Sequence, residues 1–153
     1  MNVLVSACLL GVNCKYDGHN NKTSCLDSLI DKYDFIPVCP EQLGGLTTPR
    51  LPSEISCDKK VLDQRENIIV RNIEGTDVTN YFIRGAEEAL YIAKLFKCRI
   101  AILKSNSPSC GYGFIYDGSF SKSLTEGNGV FARLLIDNGI KIYTEKELEK
   151  FLK

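Results

Sequence analysis

The run Arg99-Ile-Ala-Ile-Leu103, followed by Lys104-Ser-Asn-Ser-Pro-Ser-Cys110-Gly-Tyr-Gly113, decides the fold of this chain. A short apolar run of this kind predicts a buried strand, and the Ser, Asn, Pro and Gly residues after it predict a loop at the edge of a sheet. Open α/β folds bind their ligands at this edge, outside the carboxyl ends of the strands. Cys110 therefore lies where a functional site is expected.

Three further apolar runs predict strands of the same sheet. These runs are residues 1–7, 35–39 and 140–143. Pro37 lies inside the second run, and proline is tolerated in a strand only where its nitrogen faces no ladder partner.

Helical periodicity separates these runs. Helices are predicted at residues 24–33, 78–96 and 129–138, and after Thr144. Thr76-Asp77 provides an N-cap for the long helix, Asn138-Gly139 provides a C-terminal stop, and Thr144 with Glu147 forms a capping box. Strands that alternate with helices imply parallel crossovers. The predicted fold is a three-layer, doubly wound, mostly parallel α/β sheet of the Rossmann-like kind.

Two segments depart from this alternation. Residues 44–77 begin with prolines and then alternate polar and apolar side chains, which predicts a small β-hairpin beside the sheet. The polar residues 119–128 predict a surface loop, and the pattern leaves open whether that loop closes over the site. We expect residues 1–153 to form one domain.

The composition is that of a globular protein of the cytoplasm. Lys plus Arg and Asp plus Glu are each 19 among 153 residues, so no overall charge attracts a polyanion. The N-terminus lacks the basic flank of a signal peptide, and no apolar stretch is long enough to cross a membrane. Seven cysteines in a reducing compartment indicate metal binding, catalysis or burial rather than disulfides.

Three of the cysteines are expected to meet. Cys8 and Cys39 each end a predicted strand, and Cys110 lies in the loop after the third strand. Because parallel strands point the same way, their carboxyl ends share one edge of the sheet. The topology thus predicts that three thiols from distant segments converge.

Three kinds of site fit these thiols. A structural zinc needs a fourth ligand, and His19 is the one histidine of the chain that could supply it. An iron–sulfur cluster with three thiolates keeps one iron open for substrate. The third possibility is a single nucleophilic cysteine. The position of Cys14 is compatible with the same site. The remaining cysteines are interpreted as packing residues, namely Cys25, Cys57 and Cys98.

Other polar residues at this edge are candidates for catalysis or binding. Glu41 follows Cys39 in a tight turn and is placed to act as a general acid or base. Ser107 and Ser109 flank Pro108, and their hydroxyls are placed to position water or substrate. Lys104, at the end of the strand, is a candidate for binding substrate. Each residue also has a purely structural alternative. Glu41 could cap a turn, the two serines could bond to loop backbone groups, and Lys104 could be a solvated surface lysine.

These residues resemble the motifs of the thiouracil desulfidase family, and the resemblance covers nearly the whole chain in its short, stand-alone form. The matching segments are Ser6-Ala-Cys-Leu-Leu-Gly11, Tyr16-Asp-Gly18, Pro37-Val-Cys-Pro-Glu-Gln-Leu-Gly-Gly45, Pro49-Arg50 with Pro52 and Glu54, Ser107-Pro-Ser-Cys-Gly111, and Gly127-Asn-Gly-Val-Phe-Ala-Arg-Leu-Leu135. The long segment from Pro37 to Gly45 makes the resemblance specific.

The resemblance implies a 4Fe-4S cluster held by Cys8, Cys39 and Cys110, with one open iron that air readily damages. It implies an enzyme that hydrolyses the thiocarbonyl of a 2-thiouracil or 4-thiouracil type base or nucleotide and releases hydrosulfide. It also implies a catalytic role for Glu41 and for a serine, with Ser107 favoured over Ser109. Thiolated tRNA is a possible but less favoured substrate. The main alternative is a non-catalytic iron–sulfur or zinc module for sulfur handling.

Overall fold

The computed structural model describes residues 1–56 and 68–153. The strands in these ranges are β1 (Asn2–Ser6), β2 (Asp34–Val38), β3 (Ser53–Ile55), β4 (Val70–Asn72), β5 (Ile100–Leu103), β6 (Phe114–Tyr116), β7 (Leu124–Glu126) and β8 (Lys141–Thr144). The α-helices are α1 (Pro40–Leu43), α2 (Thr79–Leu95), α3 (Val130–Asp137) and α4 (Leu148–Phe151). Short 3₁₀ helices occur at Ala7–Leu10, Ser24–Leu29 and Glu145–Glu147.

The central sheet is parallel, as predicted. Its strands lie in the order β2-β1-β5-β8, and every neighbouring pair is parallel. Within the described ranges, strand β2 is at the edge of this sheet and pairs with β1 alone. A proline is tolerated there because its nitrogen can face the unpaired side, and this explains how Pro37 fits opposite Val5. The predicted fourth strand begins one residue later than expected, at Lys141.

Both faces of the sheet are covered, which confirms the three-layer architecture. On one face Leu4 and Leu103 belong to a core that contains Phe82 of α2 and Phe131 of α3. Residues that alternate with these along the strands, such as Val5, belong to a second core under the opposite layer. The second core includes Leu26, Leu29 and Leu148. In the described ranges no helix has the length and apolarity required to cross a membrane.

The segments outside the central sheet match the predictions in part. Strands β3 and β4 pair in antiparallel fashion, which confirms the predicted hairpin at its two ends. The prediction of a surface loop is confirmed for residues 119–123 but is wrong for Leu124–Glu126, because β7 lies there and pairs with β6. Its side chains are mostly exposed, so they show no apolar alternation. The helix predicted at residues 24–33 is only the 3₁₀ helix Ser24–Leu29.

The predicted helix ends are close to those observed. Helix α2 begins one residue later than predicted and ends one residue earlier. Helix α3 is followed by Gly139, whose φ of 72° lies in the left-handed region that glycine adopts freely at a helix C-terminus. The capping box of Thr144 and Glu147 is present, although it begins a 3₁₀ helix.

Helices α1 and α2 cross at two glycines, and this contact fixes the position of α1. A Cβ at Gly44 would lie 1.9 Å from the Tyr81 carbonyl oxygen, and a Cβ at Gly85 would lie 1.8 Å from the Pro40 carbonyl oxygen. Such distances are far inside van der Waals contact, so each backbone occupies the space where the other's side chain would be. Helix α1 therefore cannot tolerate side chains at this crossing without moving.

Gly85→Ala is expected to destabilise the protein by about 1–3 kcal/mol, because the new methyl group must push two backbones apart and this exceeds the gain in helix propensity. Chemical denaturation measures the free energy of unfolding. Glu87→Ala, on the exposed face of the same helix, is the matched control and should change it by less than about 0.5 kcal/mol. Equal stabilities of the two variants would contradict the packing argument.

Candidate active site

The three predicted cysteines lie around one cavity at the carboxyl edge of the sheet. Cys8 lies in the 3₁₀ turn Ala7–Leu10 directly after β1, Cys39 follows β2, and Cys110 lies in the loop after β5. All three line a cavity of about 520 Å³. This volume is within the roughly 300–1,000 Å³ typical of small-molecule sites. The structure thus brings together the thiols that the strand order predicts to meet.

Cys14 is a fourth thiol at this cavity, and it lies between two of the others. It is buried, its carbonyl oxygen accepts a hydrogen bond from the Cys39 thiol at 3.8 Å, and its own thiol is placed to donate to the sulfur atoms of Cys8 and Cys39. Donation by the Cys14 thiol is the main reason that the pKa of Cys39 is lowered to about 7 and that the pKa of Cys8 is also lowered. The same bonds raise the pKa of Cys14. Burial raises the pKa of the Cys110 thiol.

In cluster-free protein, Cys39 is expected to react with iodoacetamide, and the rate should be half-maximal at a pH near its pKa of about 7, because only the thiolate is nucleophilic. The reaction should therefore slow as the pH falls below that value. Cys14→Ala removes the hydrogen-bond donor and should move the midpoint to higher pH. Peptide mass spectrometry measures the modification at each pH. A midpoint that Cys14→Ala leaves unchanged would refute the role of the Cys14 thiol.

Glu41 is held by a buried arginine that the sequence analysis did not select as a site residue. Arg50 Nε donates to Glu41 Oε1 at 3.0 Å, with only 6% of the arginine side chain exposed. The guanidinium also donates to the Cys14 carbonyl oxygen at 2.8 Å and to Thr48 Oγ1 at 2.9 Å. One arginine therefore ties the Glu41 carboxylate to the segment that contains Cys14.

The two candidate serines have different contacts. Ser109 is buried, and its hydroxyl donates to Glu41 Oε2 at 3.2 Å. The Ser107 oxygen accepts the backbone amides of Ser109 and Cys110, each at 3.1 Å, and Ser107 lines the cavity. Ser109 is thus the serine in contact with the candidate acid or base. Ser107 shapes the loop that holds Cys110.

The loop that contains Cys110 is fixed by helix α3. The amides of Val130 and Phe131 donate to the carbonyl oxygens of Pro108 and Ser109, each at 2.9 Å. Gly129 passes so close that a Cβ there would lie 2.4 Å from the Ser109 carbonyl group. These contacts use backbone donors of the first turn of a helix, which have no partner inside the helix. The Cys110 loop is therefore part of the rigid structure.

Lys104 lines the cavity, but its ammonium group already has partners. Nζ donates to Glu145 Oε1 at 2.6 Å and to Ser105 Oγ at 3.1 Å, and the Ser105 amide donates to Glu145 Oε2 at 2.8 Å. Glu145 was not among the predicted site residues, because it lies far from Lys104 in the sequence. The predicted contact of Lys104 with substrate stays a prediction.

The interpretation of the other three cysteines as packing residues is confirmed for one of them and wrong for another. Cys98 is buried in the core next to α2, which confirms its interpretation as a packing residue. The same interpretation is wrong for Cys25, which is exposed because the short helix Ser24–Leu29 buries Leu26 and Leu29 instead. Cys57 lies outside the described residues.

The donor set suits an iron–sulfur cluster. In the described part of the chain, no three Cys, His, Asp or Glu side chains are grouped to hold a single metal ion. In a cluster each thiolate binds a different iron, so the ligands surround a larger volume. Once Cys8 and Cys39 are ionised, their negative charges repel each other, and a cationic iron–sulfur core would neutralise them. His19 is exposed and does not line the cavity, which disfavours the zinc site.

Both the sequence and the fold are similar to those of known proteins. Residues 3–147 match the sequence profile of the family described as 2-thiouracil desulfurase. Protein YbbK of Bacillus subtilis (strain 168) is 41% identical over 152 residues, which cover 98% of this chain and 99% of YbbK. A solved structure described as the 4Fe-4S-dependent thiouracil desulfidase TudS is 40% identical, with a TM-score of 0.84, and the match covers 97% of this chain and 93% of TudS.

Proposed function

Because the chain belongs to the 2-thiouracil desulfurase family, we propose that it is a 4Fe-4S-dependent thiouracil desulfidase. The single observation that supports this most directly is the meeting of Cys8, Cys39 and Cys110 around one cavity. The similar protein TudS is described as 4Fe-4S-dependent, and the three thiols are the ligands that this chain offers for such a cluster. Cys14 lies beside them as a hydrogen-bond donor rather than as a ligand.

The proposed reaction exchanges a thiocarbonyl sulfur for the oxygen of water. The C=S group and water give a C=O group and hydrogen sulfide, so no electron donor or acceptor is consumed. When bound, a cluster with one iron not held by a protein thiolate would supply a Lewis acid for the sulfur. The chain itself must then supply a group that moves protons.

Glu41 is the residue that we assign to proton transfer. A carboxylate removes a proton from the attacking water and, once protonated, returns that proton to the ring or to the departing sulfur. Arg50 holds Oε1 of this carboxylate, and the Ser109 hydroxyl donates to Oε2, so both oxygens have a fixed direction. We therefore assign Ser109 to positioning Glu41. Ser107 remains the serine with access to the cavity.

The charges around the cavity favour a small, uncharged substrate such as a free thiolated uracil. Four cations line it, and three of them already have carboxylate partners, namely Lys15 with Asp17 at 3.4 Å, Arg50 with Glu41 at 3.0 Å and Lys104 with Glu145 at 2.6 Å, whereas Lys122 forms no ion pair within the described residues. Nucleic acids are bound mainly through Lys and Arg groups that are free to contact phosphates. Because only Lys122 of these four is left to contact a phosphate, a free base is favoured over a nucleotide, and both are favoured over tRNA.

Anaerobic reconstitution with iron and sulfide, followed by incubation with 2-thiouracil or 4-thiouracil, tests the proposal. The expected result is a protein that contains iron and acid-labile sulfide and that produces uracil and hydrogen sulfide in equal amounts. A cluster-containing protein that converts neither base would instead support the non-catalytic sulfur-handling module. A protein that binds no iron or sulfide would overturn both.

A further inference from the structure

The β6–β7 hairpin contributes two of the three aromatic side chains of residues 1–56 and 68–153 that line the cavity, the third being Tyr16. The two are Tyr116 at the end of β6 and Phe120 in the connection from β6 to β7. Among the residues that the structure describes, neither ring stacks on another aromatic ring. The β6–β7 hairpin therefore presents unpartnered aromatic rings to the space in which the substrate must bind.

The tip of this hairpin is held by a buried carboxylate. Glu54 of β3 is 9% exposed, and its Oε1 accepts the backbone amides of Gly118 at 3.0 Å and Phe120 at 3.1 Å. The tip is also closed by a bond from the Asp117 amide to the Ser123 carbonyl oxygen at 2.9 Å. One acidic side chain from a different small sheet thus fixes the backbone on either side of Ser119.

The backbone at the tip is strained in a way that requires such support. Phe120 has a φ of 55° and Lys122 a φ of 62°, in the left-handed region that bulky side chains rarely adopt. Strained residues of this kind persist only where surrounding contacts enforce them, and they occur often at ligand sites. Here the enforcing contact on Phe120 is the Glu54 carboxylate.

We propose that Phe120 stacks on the pyrimidine ring of the substrate and that Glu54 is a positioning residue that sets this ring in place. The inference rests on the proposed function for its substrate. It extends that function by assigning recognition of the ring to the β6–β7 hairpin. A planar heterocycle offers a face to an aromatic side chain whatever its substituents, so stacking would bind 2-thiouracil, 4-thiouracil and uracil alike.

Kinetics of three variants test the stacking. Phe120→Leu, which keeps an apolar side chain but loses the flat ring, should raise KM for 2-thiouracil about tenfold or more and change kcat little. Glu54→Ala should also raise KM. Glu54→Gln keeps a carbonyl oxygen that accepts both amides, so its KM should stay close to the wild-type value. Phe114→Ala, an exposed change in the same hairpin, is the control and should leave KM unchanged.

A second measurement does not depend on turnover. The chain contains no tryptophan, so Phe120→Trp places a single fluorescent reporter at the proposed stacking position. Uracil, which has no sulfur to bind iron, should quench this fluorescence in the reconstituted protein in a saturable way. A matched Phe114→Trp variant should show no saturable quenching.

The outcomes separate this inference from the proposed function. If wild-type protein converts thiouracil but Phe120→Leu keeps the wild-type KM and uracil quenches neither tryptophan, the stacking proposal is overturned. If wild-type protein converts no thiouracil but uracil still quenches Phe120→Trp, the activity is refuted and the ring-binding site stands. Circular dichroism of Phe120→Leu and Glu54→Ala shows whether both variants retain the fold. A raised KM in variants that remain folded supports the proposal.

Discussion

Replacement of Cys39 by serine is expected to leave a folded protein that holds little iron or sulfide and has no measurable desulfidase activity. A serine hydroxyl is not ionised at neutral pH, so it cannot replace the thiolate as a ligand. The fold should survive because Cys39 is the residue that precedes α1, and serine is among the best residues at a helix N-cap. The variant therefore separates cluster binding from folding.

Iron, acid-labile sulfide and turnover measured after anaerobic reconstitution check this result. Cys25→Ser, an exposed change away from the cavity, is the matched control and should keep wild-type cluster content. Cys14→Ser should also retain the cluster, because Cys14 is assigned as a hydrogen-bond donor. If Cys14→Ser lost the cluster while Cys39→Ser kept it, the proposed ligand set would be wrong.

Replacement of Glu41 by glutamine is expected to lower kcat by about 10²–10⁴-fold and to leave the iron and sulfide content unchanged. Glutamine has nearly the same shape, and its amide oxygen can still accept a hydrogen bond from Arg50 Nε. The change removes the group that accepts a proton and, with it, the negative charge that pairs with the buried Arg50. Turnover of 2-thiouracil, normalised to cluster content, measures the effect.

Glu87→Gln, the same chemical change on the exposed face of α2, is the control and should have wild-type kcat. A Glu41→Gln enzyme with full kcat would remove this residue from proton transfer. Loss of iron from Glu41→Gln would instead show that the carboxylate acts on the cluster site. The two results are distinguished by the metal analysis alone.

The central sheet and the meeting of the three cysteines were predictable from the sequence because both depend on strand order. A strand that ends at Cys8 and one that ends at Cys39 must share an edge if they are parallel, whatever the other side chains do. The prediction therefore required only the apolar runs and their endpoints.

The supporting contacts were not predictable, because they join distant residues whose local sequence is ordinary. Lys104 and Glu145 pair although they are 41 residues apart, and the bonds from Glu54 to the hairpin tip use only backbone donors of the partner. Strand β7 has no apolar alternation because its side chains are exposed. Helical spacing around Leu26 and Leu29 identified a buried face but could not show that Cys25 lies on the other side.

The two small hairpins form sheets of their own beside the cavity that the three cysteines line, and this division bears on how relatives can diverge. Cys39 and Glu41 lie at the start of one short helix that is packed by backbone contact against α2, so mutations there alter both at once. Glu54 and Phe120 belong to hairpins outside the central sheet. Natural variation in those hairpins can change how tightly a ring is held while the three cysteines and Glu41 keep their positions.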